Sequence, residues 1–195
     1  MIVATTLNRD DIIAGLRELI AELRTAGEVA GIRLVGGAAL SLRYFDRGTT
    51  QDLDSLHVRP GSDDAVAAAA ARVAQRHEWD PAWLNFEVTN ADALPTLGRT
   101  VEWDTIHNRD DIVIQVASKE ALLAMKLRAN RPGRDTRDIR MLLSLYAIGT
   151  LGAAEDFYEE FYPGDSLDPR AVTIVSAILS EGALQIPAPL GPINL

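Results

Sequence analysis

A mixed α/β (α+β) fold with a helical C-terminal appendage is what the order of patterns along this chain predicts. Between residues 32 and 77, apolar runs of strand length alternate with helix-compatible runs: strand, helix, strand, helix. Two further strand patterns follow at 100–103 and 112–116, and beyond Ser118 the readings are helical. The expectation is a core in residues 1–117, a mixed sheet flanked by helices, with a helical part in 118–195 packed on it.

Residues 8–26 read as an amphipathic helix with Asp10 as cap and Ile12, Ile13, Leu16, Leu19, Ile20 and Leu23 as its apolar stripe. The glycines Gly27 and Gly31 turn the chain into a strand at 32–35. A diglycine, Gly36-Gly37, ends that strand, a helix-compatible run covers 38–47, and the polar turn 48–51 leads into a second strand at 52–58. Pro60-Gly61-Ser62-Asp63 reads as a turn and helix start, followed by an alanine-rich helix over 64–77. Trp79-Asp80-Pro81 breaks it, and 83–88 fits either a strand or a short helical turn. A polar turn at 107–111 separates the two later strands.

Ser118 caps a helix over 119–129 that is apolar nearly all round, so it should be largely buried. Lys126 interrupts this run and either snorkels to solvent or meets an anion. A second helix spans 136–147, with Asp135 as cap and Asp138 in its first turn, where negative charge is favoured. Helices at 153–161 and 169–179 complete the appendage. The tail from Gly182, with Pro187, Pro189 and Pro192, is expected to be extended or mobile.

Composition removes several function classes. The chain has 195 residues and no cysteine, which excludes disulfides, thiolate metal sites and a cysteine nucleophile. No apolar run reaches the ~18 residues of a membrane span, and no signal peptide is evident, so a cytoplasmic protein is expected. The net charge of −9 argues against a broad nucleic-acid-coating surface, because phosphate neutralisation supplies most nonspecific affinity. Even so, 6 of the 19 basic residues, Lys126, Arg128, Arg131, Arg134, Arg137 and Arg140, fall within one 15-residue stretch. A small basic patch of this kind suits a nucleotide or an RNA end, or is a solvated face paired with Asp135 and Asp138.

The most informative stretch is the diglycine and the two carboxylates that follow it. Asp52 and Asp54, two positions apart on a strand, share one face and can grip the same cation. Gly36 and Gly37 let the backbone turn sharply and lie close to a ligand, and a helix starting there aims free N–H groups at an anion. A phosphate cradle beside a carboxylate pair points to metal-nucleotide chemistry. Magnesium takes one or two protein carboxylates plus phosphate oxygens and water, and Asp52 and Asp54 meet that need.

This arrangement resembles the signature of the nucleotidyltransferase superfamily: Gly-Gly-small residue, a spacer, then Asp-x-Asp/Glu. The spacer after Ala38 is thirteen residues, 39–51. Ala124-Met125-Lys126-Leu127, followed by Arg134-Asp135-Thr136-Arg137-Asp138-Ile139, is similar to the Lys…Arg-x-Asp segment of AbiEii-type and MenT-type nucleotidyltransferase toxins and their uncharacterised bacterial relatives. Trp83-Leu84-Asn85 also looks like a tripeptide of those relatives. The resemblance spans roughly residues 32–143, by scattered motifs.

What it implies is a toxin-like enzyme that transfers a nucleoside monophosphate from an NTP to a hydroxyl, in the best understood members at the 3′ end of tRNA, opposed by a separately encoded antitoxin. By position, Gly36 and Gly37 would bind phosphate, Asp52 and Asp54 Mg²⁺ or Mn²⁺, Lys126 and Arg134 the nucleotide, and Asp138 would complete the active site. Ala38 departs from the serine of many members, which removes one phosphate contact. Glu87 is the candidate third catalytic carboxylate, with Asp104 and Asp111 as rivals. The alternative is a catalytically silent protein of the same fold that binds a nucleotide or a partner. His57, His77 and His107 show no metal spacing, and no serine hydrolase, Walker or dinucleotide-binding glycine motif is present.

Overall fold

A computed structural model describes residues 5–90 and 94–195. Among the described residues the chain forms seven α-helices and one five-stranded mixed sheet. They divide into two compact units, one of residues 5–90, 103–117 and 190–195, the other of residues 94–102 and 118–189. Among the described residues no helix is long and apolar enough to cross a membrane.

The first unit opens with α1 (Arg9–Ala26). Asn8, rather than Asp10, is its cap: Asn8 Oδ1 accepts from the N–H groups of Asp10 and Asp11, and Asp11 Oδ2 accepts in return from Asn8 N–H. This reciprocal pair satisfies donors that would otherwise be orphaned. Strand β1 (Ala30–Leu34), helix α2 (Gly36–Arg43), strand β2 (Leu53–Gly61), helix α3 (Asp63–His77) and the two-residue strand β3 (Leu84–Asn85) follow. A 3-10 turn, Glu87–Asn90, comes next, and then the hairpin of β4 (Trp103–Arg109) and β5 (Ile112–Ala117).

The strand order is β3-β2-β1-β5-β4. β1 runs antiparallel to β2 and parallel to β5, while β2 and β3 are parallel and joined through α3. Side chains alternate between the two sheet faces. Ile32, Leu34, Ile112, Ile114, Val116 and Leu53 are fully buried on one face. Arg33, Val113, Gln115 and Asp54 on the other are only half-buried. On α1, Ile12, Leu16, Leu19 and Leu23 are sealed off, as are Val66, Ala69 and Val73 on α3, which packs against α1. Each such leucine or isoleucine contributes roughly 1.5–3 kcal/mol by leaving water.

Several boundaries differ from the sequence reading, β2 among them, which runs on through Pro60-Gly61 where a turn is expected. The run expected to be helical through Arg47 stops at Arg43, because Phe45 turns into the core and Asp46 Oδ1 accepts from Gly48 N–H, a side-chain-closed turn that competes with the helix. The polar stretch expected as a turn over 107–111 is mostly strand: β4 reaches Arg109, and only Asp110 and Asp111 turn, at φ 54° and 57°. Two consecutive positive φ values match the twist of a two-residue hairpin, and aspartate tolerates them. The segment 100–102, expected as strand, precedes β4.

In the second unit, α4 (Lys119–Ala129), α5 (Thr136–Leu145), α6 (Leu151–Phe161) and α7 (Pro169–Ser180) pack in the pairs α4·α5, α4·α6, α6·α7 and α5·α7. Ser118 caps α4 as expected, through Ala121 N–H, and Asn130 in the left-handed region ends it. Beyond Gly182 the tail has no regular secondary structure, but its last residues are tied into the first unit: Arg9 Nη2 donates to Gly191 O at 2.7 Å and Arg17 Nε to Asn194 O at 2.7 Å.

Candidate active site

The diglycine and the carboxylate strand meet at the end of β1. Val35 N–H donates to Asp54 O at 3.0 Å, which ties the last turn of β1 to the first residues of β2. Gly36, at φ +64°, then opens α2 directly, so the diglycine is the first turn of the helix rather than a loop before it. A Cβ at Gly36 would lie 2.5 Å from Asp54 Oδ2. The backbone of Gly36 thus lies against the Asp54 carboxylate, which would have to move to admit any side chain there. Val35, in the N-cap position, has no polar side chain, so the first N–H groups of α2 lack a side-chain cap.

Gly37 has a different neighbour. A Cβ there would lie 2.9 Å from Arg47 Nη1 and 2.9 Å from Thr50 Oγ1. Arg47 Nη1 also donates to Thr49 O at 2.7 Å, and Thr50 is buried, pairing with Leu7 through both backbone groups and donating from its hydroxyl to Asp52 O. Arg47 and Thr50 are the residues that sequence reasoning missed. The sequence pattern puts Arg47 at the end of the helical run, whereas the helix ends at Arg43 and the chain brings Arg47 beside Gly37.

The third-carboxylate candidates separate by register. Asp54 is the direct partner of Asn85 across β2 and β3, and Glu87 lies two residues beyond, exposed, with its N–H donating to Asn85 Oδ1 at 3.0 Å. Asp104 stands on β4, which is three positions from β2 in the sheet, about 14 Å at the usual strand spacing. It pairs with Arg43 at 3.3 Å. Asp111 is in the β4–β5 turn, where its carbonyl accepts from Ala30 N–H at the start of β1, the end opposite to Asp54.

Among the described residues no group of three or more His, Asp or Glu side chains is gathered tightly enough to hold a metal by itself. Asp52, just ahead of β2, and Asp54 are half-buried oxygen donors. Two carboxylates of this kind fit Mg²⁺, which keeps its remaining positions for phosphate oxygens and water. A recess of about 320 Å³ in this unit lies elsewhere, lined by Leu42, Arg43, Thr105, Ile106 and the tail.

The remaining residues named from sequence belong to the second unit. Lys126 is buried, with Nζ 2.6 Å from Asp135 Oδ1 and 2.8 Å from Asp138 Oδ2. Asp135 occupies the N-cap position of α5 but makes no capping hydrogen bond. Its carboxylate is engaged instead by Lys126 and by Arg131, through the Arg131 backbone N–H at 3.0 Å, Nε at 2.9 Å and Nη2 at 3.2 Å. Burial alone would raise the Asp135 pKa, but the hydrogen bonds from Arg131 and the charge of Lys126 outweigh it and hold the group down at about 2. Arg134 and Arg137 are exposed. Lys126 therefore neither snorkels nor lacks a counter-charge within its own unit.

No family model matches the chain, and no curated protein or solved structure gives a significant match.

Proposed function

We infer that the chain is a metal-dependent nucleotidyltransferase that moves a nucleoside monophosphate from an NTP to a hydroxyl acceptor. The observation that carries this reading is the contact of Gly36 with the Asp54 carboxylate, because it sets a helix N-terminus and a metal-binding carboxylate against each other. An NTP needs both at once: N–H donors for phosphate oxygens, and a divalent cation bridging those oxygens to protein. Arg47, beside Gly37, adds positive charge at the same helix end.

When bound, Mg²⁺ would draw charge off the phosphates and lower the pKa of the acceptor hydroxyl. Asp52 and Asp54 would hold it, and the α2 N–H groups and Arg47 would fix the triphosphate. Glu87, two residues beyond the Asn85 partner of Asp54, is the proposed base for the acceptor proton. The acceptor oxygen bonds to the α-phosphorus, the bond from that phosphorus to the bridging oxygen breaks, and pyrophosphate leaves. The resemblance to the toxin branch makes an RNA 3′ end, such as that of tRNA, the proposed acceptor. It also makes a separately encoded antitoxin the proposed partner, and the cytoplasm the compartment.

The second reading, a catalytically silent nucleotide- or partner-binding protein of this fold, is favoured by the lack of a gathered third carboxylate among the described residues. One experiment separates the two. Purified protein is incubated with each NTP radiolabelled at the α-phosphate, Mg²⁺ and total bacterial RNA, alongside Asp52→Ala. Label entering a tRNA-sized band in the wild type only is the expected result. NTP binding without label in RNA, protein or small metabolites would leave the silent module.

A further inference from the structure

The half-buried face of the sheet carries an arginine that the reaction above does not use. Arg33, on β1, is cross-strand partner to Gln115 on β5 and to Leu56 on β2. Because paired residues share a face and strand side chains alternate, Arg33, Gln115, Leu56 and Asp54 lie on the same side of the sheet. Its guanidinium is held in two ways. Arg33 Cζ sits 4.5 Å over the centroid of the Trp103 ring, and Nε donates to Gln115 Oε1 at 2.9 Å. Gln115 is itself oriented by donating from Nε2 to Thr105 Oγ1 at 3.2 Å. Among the described residues, neither terminal nitrogen of Arg33 has a hydrogen-bond partner. Burial also disfavours its charge, so the group is partly dehydrated where it stands. A stacked, partly desolvated guanidinium with one nitrogen anchored and two presented is built to meet a planar or tetrahedral oxyanion in two-pronged fashion.

We propose that Arg33, set by Trp103 and Gln115, binds a backbone phosphate of an RNA acceptor on the sheet face that also carries Asp54. This rests on the nucleotidyltransferase reading and adds to it a subsite for the acceptor. The position argues for the acceptor rather than the NTP. Arg33 precedes Gly36 by three residues, at most about 10 Å of extended chain. Its guanidinium also leans toward Trp103 on β4, which lies on the side of β1 away from β2. The triphosphate then falls to the α2 N-terminus and Arg47, and Arg33 to the next phosphates of a chain whose 3′ end reaches Asp54, a division that the NTP arm of the test decides.

The test uses the full chain and a fluorescein-labelled single-stranded RNA oligonucleotide, with each of the four NTPs plus Mg²⁺ titrated separately. Arg33→Gln is expected to weaken RNA binding about tenfold. The slope of log affinity against log salt should become shallower by about 0.7, the value for one phosphate contact to a single strand. NTP affinity should stay at the wild-type value. Arg33→Lys keeps the charge but loses the planar fork, and should recover only part of the RNA affinity; a melting temperature equal to wild type certifies both folds. Unchanged RNA affinity in Arg33→Gln overturns the proposal, as does an equal loss of RNA and NTP affinity, which would assign Arg33 to the nucleotide. RNA binding that depends on Arg33, without transfer of label to any RNA, would sink the enzyme reading and leave the phosphate contact standing.

Discussion

The α-carbon of Gly36 lies so close to the Asp54 carboxylate that a methyl group added to it would come within 2.5 Å of Oδ2. Gly27 has nearly the same φ, +66° against +64°, but nothing within 4 Å of the equivalent position. The pair separates backbone strain from crowding. Gly27→Ala should cost about 1 kcal/mol, the penalty for a left-handed alanine alone. Gly36→Ala should cost more, roughly 2–4 kcal/mol, because Asp54 must also move. Urea unfolding of both variants checks the difference, and equal losses would mean that Asp54 yields freely.

Asp52 and Asp54 are half-buried and are the proposed ligands of the cation. Replacing either with asparagine keeps the volume and removes a charged oxygen. Transfer activity should fall at least about 100-fold, since metal stabilisation of the transition state is worth several kcal/mol. Isothermal titration with Mn²⁺ and NTP should show metal-dependent NTP binding weakened in both variants. Transfer that persists in Asp54→Asn would move the metal site elsewhere.

Lys126 sits between two buried carboxylates, 2.6 Å from Asp135 and 2.8 Å from Asp138. Lys126→Met removes the only lysine in that cluster and leaves two buried negative charges facing one another. The expected destabilisation is about 3–5 kcal/mol, the usual result of taking one partner out of a buried ion pair. A urea midpoint within error of wild type would show that Arg131 alone suffices for both carboxylates.

The same cluster sets an acid limit. Asp135 titrates at about 2 in the folded chain against 3.8 ordinarily. A depressed carboxylate adds stability that is fully present above its unfolded pKa and is lost as pH falls through its folded one. The window is thus from about pH 4 down to about pH 2, and the loss is about 2 kcal/mol. Asp135→Asn should be less stable at pH 7 and lose less between pH 4 and pH 2 than the wild type. Parallel pH profiles for the two proteins would contradict the assignment.

Local rules made some of this legible in the sequence. Helix α4 matches its expected span because Ser118 and Asn130 supply both caps, and the helix over 8–26 differs only in which residue closes its first turn. What failed was set by partners distant in sequence. The polar composition of β4 resembled a turn because an edge strand meets solvent on several sides. β3 is two residues long and has no period to detect. Asp135 carried the spacing of a cap, and only tertiary packing brings Lys126 to it across nine positions. In the site, the proximity of the diglycine to Asp54 followed from strand–helix–strand order. Arg47 did not, since its place over Gly37 depends on a helix ending four residues early.

Gly15 tests how rigid the packing of α1 is. In the interior of a helix, glycine to alanine ordinarily stabilises by up to about 1 kcal/mol, because the unfolded chain loses freedom. Here a Cβ would meet Trp79 Cζ3 at 2.9 Å and Trp83 Cζ3 at 2.9 Å. Neither ring is a flexible side-chain end. Trp83 is fully buried, its Nε1 donates to Ala70 O at 2.9 Å, and Trp79 is held between Trp83 and the stacked ring of His77. Moving either indole would break that hydrogen bond or the stack. Crowding should therefore overcome propensity, and Gly15→Ala should destabilise by about 1–3 kcal/mol. Tryptophan emission, read in a Trp103→Phe background so that Trp79 and Trp83 alone report, gives the mechanism: a red shift on Gly15→Ala would report an indole pushed toward water. A gain in stability with unchanged emission would show that α1 shifts outward without disturbing the rings.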